Sequence, residues 1–185
     1  MSQTQTSTAL QASPPRHAVA EVAQLAAQQQ FLTFRLGTER FAISIQAIRE
    51  IIEFPGMTSI PLTPAFLSGV INLRGAVVPV IDLSVRFGRA KTEVGRKTCI
   101  VIVEVAVEDG LQPLGVIVDA VDEVVEVDAA QIEMRPNFGA GIRADFVAGM
   151  LRLGNLFVVS LNLDKVLSTE ELEQMIGIAE SAAVE

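Results

Sequence analysis

Two stretches of the chain share one alternation of apolar runs and breaks. Phe66–Leu83 reads FLSGVINLRGAVVPVIDL, with the runs Val70–Leu73 and Ala76–Leu83 on either side of Arg74-Gly75. Two residues ending in Gly between β-branched runs predict a tight hairpin, because Gly accepts the positive φ such turns need. The pattern returns as Phe146–Leu163, FVAGMLRLGNLFVVSLNL, at an offset of 80. That offset brings Phe66 onto Phe146, Gly69 onto Gly149, Leu73 onto Leu153 and Leu83 onto Leu163. Only the first copy carries Asn72 and Arg74.

A second match lies upstream, at an offset of 73, where Phe41–Glu53 lines up with Leu114–Glu126. Ala47, Glu50 and Glu53 recur as Ala120, Glu123 and Glu126, and five isoleucines become valines. Within Ser44–Glu53, Ile45, Ile48 and Ile52 recur at helical spacing opposite Gln46, Arg49, Glu50 and Glu53. This predicts a short amphipathic helix with Ser44 as its N-cap. A strand is the alternative, because the five isoleucines between Ile43 and Ile52 weaken helix propensity. Two matches in the same order indicate an internal duplication into two pseudo-symmetric modules.

The remaining pattern fills in the modules. Phe31–Leu36 and Arg40–Ile43 form a hairpin, Phe54–Pro64 a loop, and Lys97–Val107 a long strand that turns at Glu108-Asp109-Gly110 into Leu114–Val118. Pro79 lacks an N–H for the ladder, which predicts a place at an edge or bulge. Each half holds about five strand-like segments, the content of a small closed or partly closed barrel. Ser168 and Glu171 have capping-box spacing and predict a helix from about Thr169 to Ile178. The expected organisation is a disordered lead-in over 1–29, a first β-barrel over about 30–95, a second over about 96–167, and a C-terminal helix and tail over 168–185. Val19–Gln30 could form a weak helix inside the lead-in.

Charge changes the picture in one respect. The chain of 185 residues has a net charge of −8, which argues against nucleic acid as a partner. Residues 31–95 carry +2, whereas 96–167 and 168–185 carry −5 each. Opposite signs favour end-to-end contact between such modules, and ordinary solubility charge explains them equally well. There is no basic-then-apolar leader and no apolar run near 18 residues, so the expectation is a cytoplasmic protein without membrane insertion.

The candidate chemistry is sparse. His17 is the only His, and it sits in the lead-in. With one Cys, Cys99, expected in the core, neither a nucleophile–His site nor a zinc site is expected. Gly139-Ala140-Gly141 has no Lys-Ser/Thr after it and reads as a loop, not a phosphate cradle. Asp82 and Glu50 could form an acid/base pair. The plainer readings are a strand end for Asp82 and a salt bridge between Glu50 and Arg74. A groove lined by Ile45, Ile48 and Ile52 would suit an amphipathic partner helix, although such isoleucines are more often core.

FLTFRLGTERFAISIQAIREII, PAFLSGVINLRGAVVPVIDL, the run Gly115–Val124 and the acidic final helix resemble the CheW family of bacterial chemotaxis coupling proteins. The resemblance covers roughly residues 30–175, and its most specific part is Gly69–Asp82 with NLRG at Asn72–Gly75. It implies a mostly β fold of two five-stranded SH3-like barrels with short helices. It further implies a non-enzymatic adaptor without cofactors, joining the cytoplasmic hairpin tip of chemoreceptors to the regulatory domain of the histidine kinase CheA, in rings with other CheW-like modules. Carried onto this chain, the resemblance puts Ile48, Glu50, Gly69, Asn72 and Arg74 at the receptor surface. The kinase-facing surface is expected around Phe146, Gly149, Leu151 and Leu153. The alternative is a small-molecule-binding or carboxylate-based enzymatic β-barrel, with Asp82 or Glu50 in a deep pocket.

Overall fold

The computed structural model describes residues 28–134 and 141–183. His17, residues 19–27 of the weak helix, and Gly139-Ala140 lie outside the described residues. Gln28 and Gln29, expected in the lead-in, already belong to the first strand.

Among the described residues, eleven strands form two sheets. In chain order they are β1 (Gln28–Leu36), β2 (Glu39–Ser44), β3 (Ile48–Glu53), β4 (Leu67–Leu73), β5 (Ala76–Asp82), β6 (Cys99–Val107), β7 (Gly110–Val118), β8 (Ala120–Asp128), β9 (Ile132–Glu133), β10 (Val147–Leu153) and β11 (Leu156–Leu161). The α-helices among the described residues are α1 (Leu83–Arg86) after β5, α2 (Leu163–Val166) after β11, and α3 (Thr169–Ala183) after α2. One sheet has the order β8-β1-β2-β11-β10-β9 and the other β3-β6-β7-β5-β4.

These orders are images of each other under the two sequence offsets. The parallel joint β2–β11 pairs Ala42 with Ser160, and the parallel joint β5–β7 pairs Val80 with Gly115. The offset of 73 carries Ala42 onto Gly115, and the offset of 80 carries Val80 onto Ser160. The duplication therefore holds at the level of register. The expected division at about residue 95 does not describe how the strands pair. The hairpin β1–β2 joins the sheet of β8–β11, and the hairpin β6–β7 joins the sheet of β3–β5. A pattern of apolar runs carries no information on which copy a hairpin joins.

The strand pairing gives two sheets with free ends, each brought part of the way round by a bent segment. Beyond β3, Thr58 bridges Val70 of β4 with bonds of 3.0 and 2.9 Å. Beyond β8, Glu133 of β9 pairs with Met150 of β10, the equivalent position.

The helix expected over Ser44–Glu53 is absent. Ser44 caps a single 3-10 turn, Ile45–Ala47, and Ile48–Glu53 is a strand paired with β6. Its repeat is likewise the strand β8. The β-branched side chains favour the pleat, and exposure in β3 alternates residue by residue at a period of two. Pro79 lies in an interior strand, but β5 meets β7 only from Val80 onward, so no second ladder needs its missing N–H. The capping box holds, with Glu171 N donating to Ser168 Oγ at 3.2 Å and Ser168 N to Glu171 Oε2 at 2.8 Å. The helix it starts runs to Ala183, past the expected end.

Strand β6 shows where the core sits. Val101, Val103 and Val105 join a large cluster shared by both sheets and the helices, with Phe34, Phe41 and Met175. Ile100 and Ile102 face a smaller cluster with Ile71, Val78 and Val80. A third cluster, around Phe31, Leu151 and Val158, is its counterpart in the other sheet. Burial on both faces explains why Cys99–Val103 reads as a continuous apolar run. Phe34, Phe41, Phe87 and Phe146 form a chain with ring centroids 6.1, 5.7 and 5.8 Å apart. It runs through the shared cluster at the offset spacings aromatic pairs prefer.

Candidate protein-interaction surface

The duplication separates what both modules need from what only one has. The turn between β4 and β5 is Arg74-Gly75, with φ of +53° and +90°. Positive φ at both central residues is the type I′ geometry that matches strand twist. Asn72 Oδ1 accepts a hydrogen bond from Gly75 N at 2.9 Å and pins the turn. From its tip, Arg74 Nη2 reaches Glu50 Oε2 on β3 at 2.9 Å. Glu50 follows a bulge in β3, where the register shifts between Ile48 and Glu50. The expected salt bridge is present, and it spans the gap between the outer strand β3 and the hairpin tip.

The energetics of Arg74 do not favour a role in folding. A non-glycine residue in the left-handed region costs roughly 1–2 kcal/mol. The Arg74 side chain is 77% exposed, and an exposed ion pair contributes at most about 1 kcal/mol. The second module puts Gly154, with φ of +62°, at the equivalent position, so its hairpin turns there without forcing a side-chain-bearing residue into the left-handed region. An arginine held at a costly backbone position, where its own repeat uses glycine, points to a surface role.

Around this pair, Asn72 is exposed, Ile48 is half-buried against the shared cluster, and Gly69 is buried. Gly69 contributes backbone shape. A Cβ there would lie 2.3 Å from Thr58 O, on the segment bridging β4, and its φ is +153°. Gly149 is the counterpart, with a Cβ position 3.1 Å from Glu133 O. The repeated glycine thus marks where each of these segments closely approaches the strand it pairs with.

Of the four residues expected at the second surface, three are buried and Leu153 is half-buried. Phe146 is 2% exposed and Leu151 is fully buried, each within a core cluster. Gly149 is buried and Leu153 packs against the third cluster. Inward-facing frame positions offer no side chain to a partner. The same hairpin does expose Leu156 and Phe157, at 57% and 54%. Ile51, beside Glu50, is 42% exposed. A helical reading of Ser44–Glu53 hides Ile51; a period of two from Arg49 to Glu53 turns it outward.

The carboxylates do not form an acid/base site. Asp82 is fully buried as the N-cap of α1, and its oxygens accept from Ser84 N at 2.9 Å, Thr92 N at 2.8 Å and Thr92 Oγ1 at 3.0 Å. No proton acceptor is left open to a substrate there. Burial, then the nearby Glu53 charge, pushes the Cys99 thiol up, away from the thiolate a nucleophile needs. Among the described residues, no group of three or more His, Cys, Asp or Glu is placed to hold a metal ion. Nor is any described helix long and apolar enough to cross a membrane.

Residues missed by the sequence pattern tie the modules together. Arg86 of α1 sits over the rings of Phe66 and Phe146, at 4.6 and 5.4 Å, and donates to Val166 O at 2.7 Å and to Glu171. The two phenylalanines are repeat equivalents, so Arg86 joins the copies where they meet.

Comparison with known proteins places these features in a family. The model of the CheW-like domain matches residues 30–171. The chemotaxis protein CheW of Klebsiella aerogenes is 33% identical over 166 residues, covering 88% of this chain and 98% of that protein. CheW of Treponema pallidum is 32% identical, covering 82% and 89%. The protein FrzA of Myxococcus xanthus is 29% identical, covering 80% and 91%. The crystal structure of the scaffolding protein TtCheW from Thermoanaerobacter tengcongensis superimposes with a TM-score of 0.69 at 35% identity, covering 76% of this chain and 88% of that one.

Proposed function

We propose that this chain, which belongs to the CheW-like family of chemotaxis scaffolds, is a non-catalytic adaptor that couples chemoreceptors to the histidine kinase CheA at the cytoplasmic face of the membrane. The observation that carries the reading is the Glu50–Arg74 pair, with Arg74 strained and mostly exposed. The receptor hairpin tip docks against β3 and the β4–β5 turn, contacting Ile48, Glu50, Ile51, Asn72 and Arg74. Gly69 shapes the backbone beneath. The exposed guanidinium and the half-buried carboxylate set specificity, and the neighbouring aliphatics supply apolar contact.

The kinase regulatory domain docks on the outward side chains of the β10–β11 hairpin, Leu156 and Phe157, rather than on its buried frame. Exposed large apolar side chains on a hairpin tip favour a protein partner. Rings with other CheW-like modules follow if the two surfaces are engaged at once.

Reconstitution tests the assignment. Mixing the chain with a receptor cytoplasmic fragment and CheA should give a ternary complex that activates the kinase. Absence of binding to either partner at tens of micromolar would sink the coupling role. A Phe157→Ser variant should lose CheA while keeping the receptor; equal loss of both would remove the separation of surfaces.

A further inference from the structure

The segment between α1 and β6 has no strand and only two short turns, yet it is tightly held. Asp82 accepts from Thr92 N and Oγ1, Arg89 N donates to Ser84 O at 2.8 Å, and Gly95 N donates to Thr98 Oγ1 at 2.7 Å. Thr92 and Thr98 point in, whereas Lys91, Glu93, Val94, Arg96 and Lys97 are exposed. The anchoring fixes the outward side chains without regular structure, so a ligand would meet a preorganised loop.

Lys91, Arg96 and Lys97 make no ion pair among the described residues, whereas seven other arginines do. These three cations fall within seven residues of a chain whose net charge is −8. They rim a cleft of about 590 Å³, with Arg89, which pairs with Glu39, at its side. The acids of the cleft are Glu93 and Asp119, and the Asp119 carboxylate already accepts from Gly37 N. On the same loop Val94 is 60% exposed.

We infer that this loop is a docking surface for an acidic peptide segment of a partner protein, separate from the Glu50–Arg74 surface. Clustered unpaired cations select negative charge, and the charge of the whole molecule disfavours long polyanions. Val94 favours a peptide over a bare anion, because phosphate has no apolar surface to lay against it.

The test titrates the isotope-labelled full chain with a synthetic peptide of alternating Glu and Leu, followed by amide shifts. Shifts should centre on residues 89–98 and extend to Gly37 and Asp119. Affinity should fall about tenfold between roughly 50 and 300 mM salt. The K91E/R96E/K97E variant should lose binding at least about tenfold, and Val94→Ser should weaken it about threefold. All four side chains are exposed, so an otherwise unchanged spectrum reports an intact fold. Undiminished binding by the triple variant, or shifts centred elsewhere, overturns the assignment. So does inorganic phosphate reproducing the shifts with Val94→Ser silent, which marks a simple anion site. Sedimentation with phosphatidylglycerol vesicles, lost in the triple variant, would assign the loop to a membrane instead.

Discussion

Arg86 grips Glu171 through both guanidinium Nη atoms, each 2.9 Å from a carboxylate oxygen, although 85 residues separate the two. The contact fastens α3 to the body of the fold at its first turn. Burial pushes the Glu171 carboxyl up, but hydrogen bonds from Ser168 and the Arg86 guanidinium outweigh it and hold the group below its ordinary value of 4.5. A carboxylate favoured in the folded state stabilises above its unfolded pKa and loses that contribution as pH falls through the folded value.

The melting temperature of the chain should therefore drop on acidification below about pH 4.5 more steeply than that of Glu171→Gln. Near neutral pH, where the contribution is fully present, Glu171→Gln should be the less stable, and the gap should close on acidification. Thermal melts of both proteins across this range check it. Parallel pH curves would show that the contact is not linked to folding.

At the turn of the first hairpin, Arg74→Gly should leave stability unchanged or raise it by up to about 1 kcal/mol, because relief of the left-handed backbone offsets loss of an exposed pair. Arg74→Ala keeps the strain and should be neutral to about 1 kcal/mol less stable. Both should weaken receptor coupling. Urea midpoints together with kinase activation in receptor complexes separate the two effects. Unchanged coupling with either variant would move the receptor surface away from Arg74.

The paired glycines differ in tolerance. Gly69→Ala places a Cβ against Thr58 O at 2.3 Å and should cost about 2 kcal/mol or more. Gly149→Ala meets Glu133 O at 3.1 Å and should cost about half as much. Equal melting temperatures for the two variants would contradict the closer approach at Gly69.

Asp82→Asn exchanges a buried carboxylate for an amide that brings two unwanted donors to Thr92 and Ser84. It should destabilise by about 2–3 kcal/mol and speed amide exchange across residues 84–98. Exchange confined to its ordinary rate in that segment would show that the loop is held by something else.

Much of this architecture is legible in the chain. Gly69 and Gly149, Phe66 and Phe146, and the Asn72–Gly75 turn announce the duplication and its hairpins, because turn geometry depends on adjacent residues. The segment Ser44–Glu53 misleads, since Ile45, Ile48 and Ile52 fit a helical stripe as well as one face of a bulged strand. Pairing with β6, 50 residues away, decides the matter, and no local pattern encodes it. Phe146 and Leu151 show a second limit. Apolar residues on a repeated hairpin look the same whether they face a partner or the core. Of the pair Glu50–Arg74, the sequence supplies the charges, while the strained turn that singles out Arg74 appears only in the backbone angles.

The exchange of hairpins between the two sheets bears on how the chain can be cut and how it must fold. Neither half holds a complete sheet, so a fragment ending near residue 95 would leave β1–β2 without β8 and β11, and β3 and β5 without β6–β7. Two copies of such a half could complete each other only by trading hairpins as a twofold dimer. Joined in one polypeptide, the trade becomes intramolecular and independent of concentration. It also defers completion of the sheet β8-β1-β2-β11-β10-β9 until strands from both ends have been synthesised, whereas β3-β6-β7-β5-β4 is complete once β7 is made; the first sheet predicts slow folding governed by distant contacts.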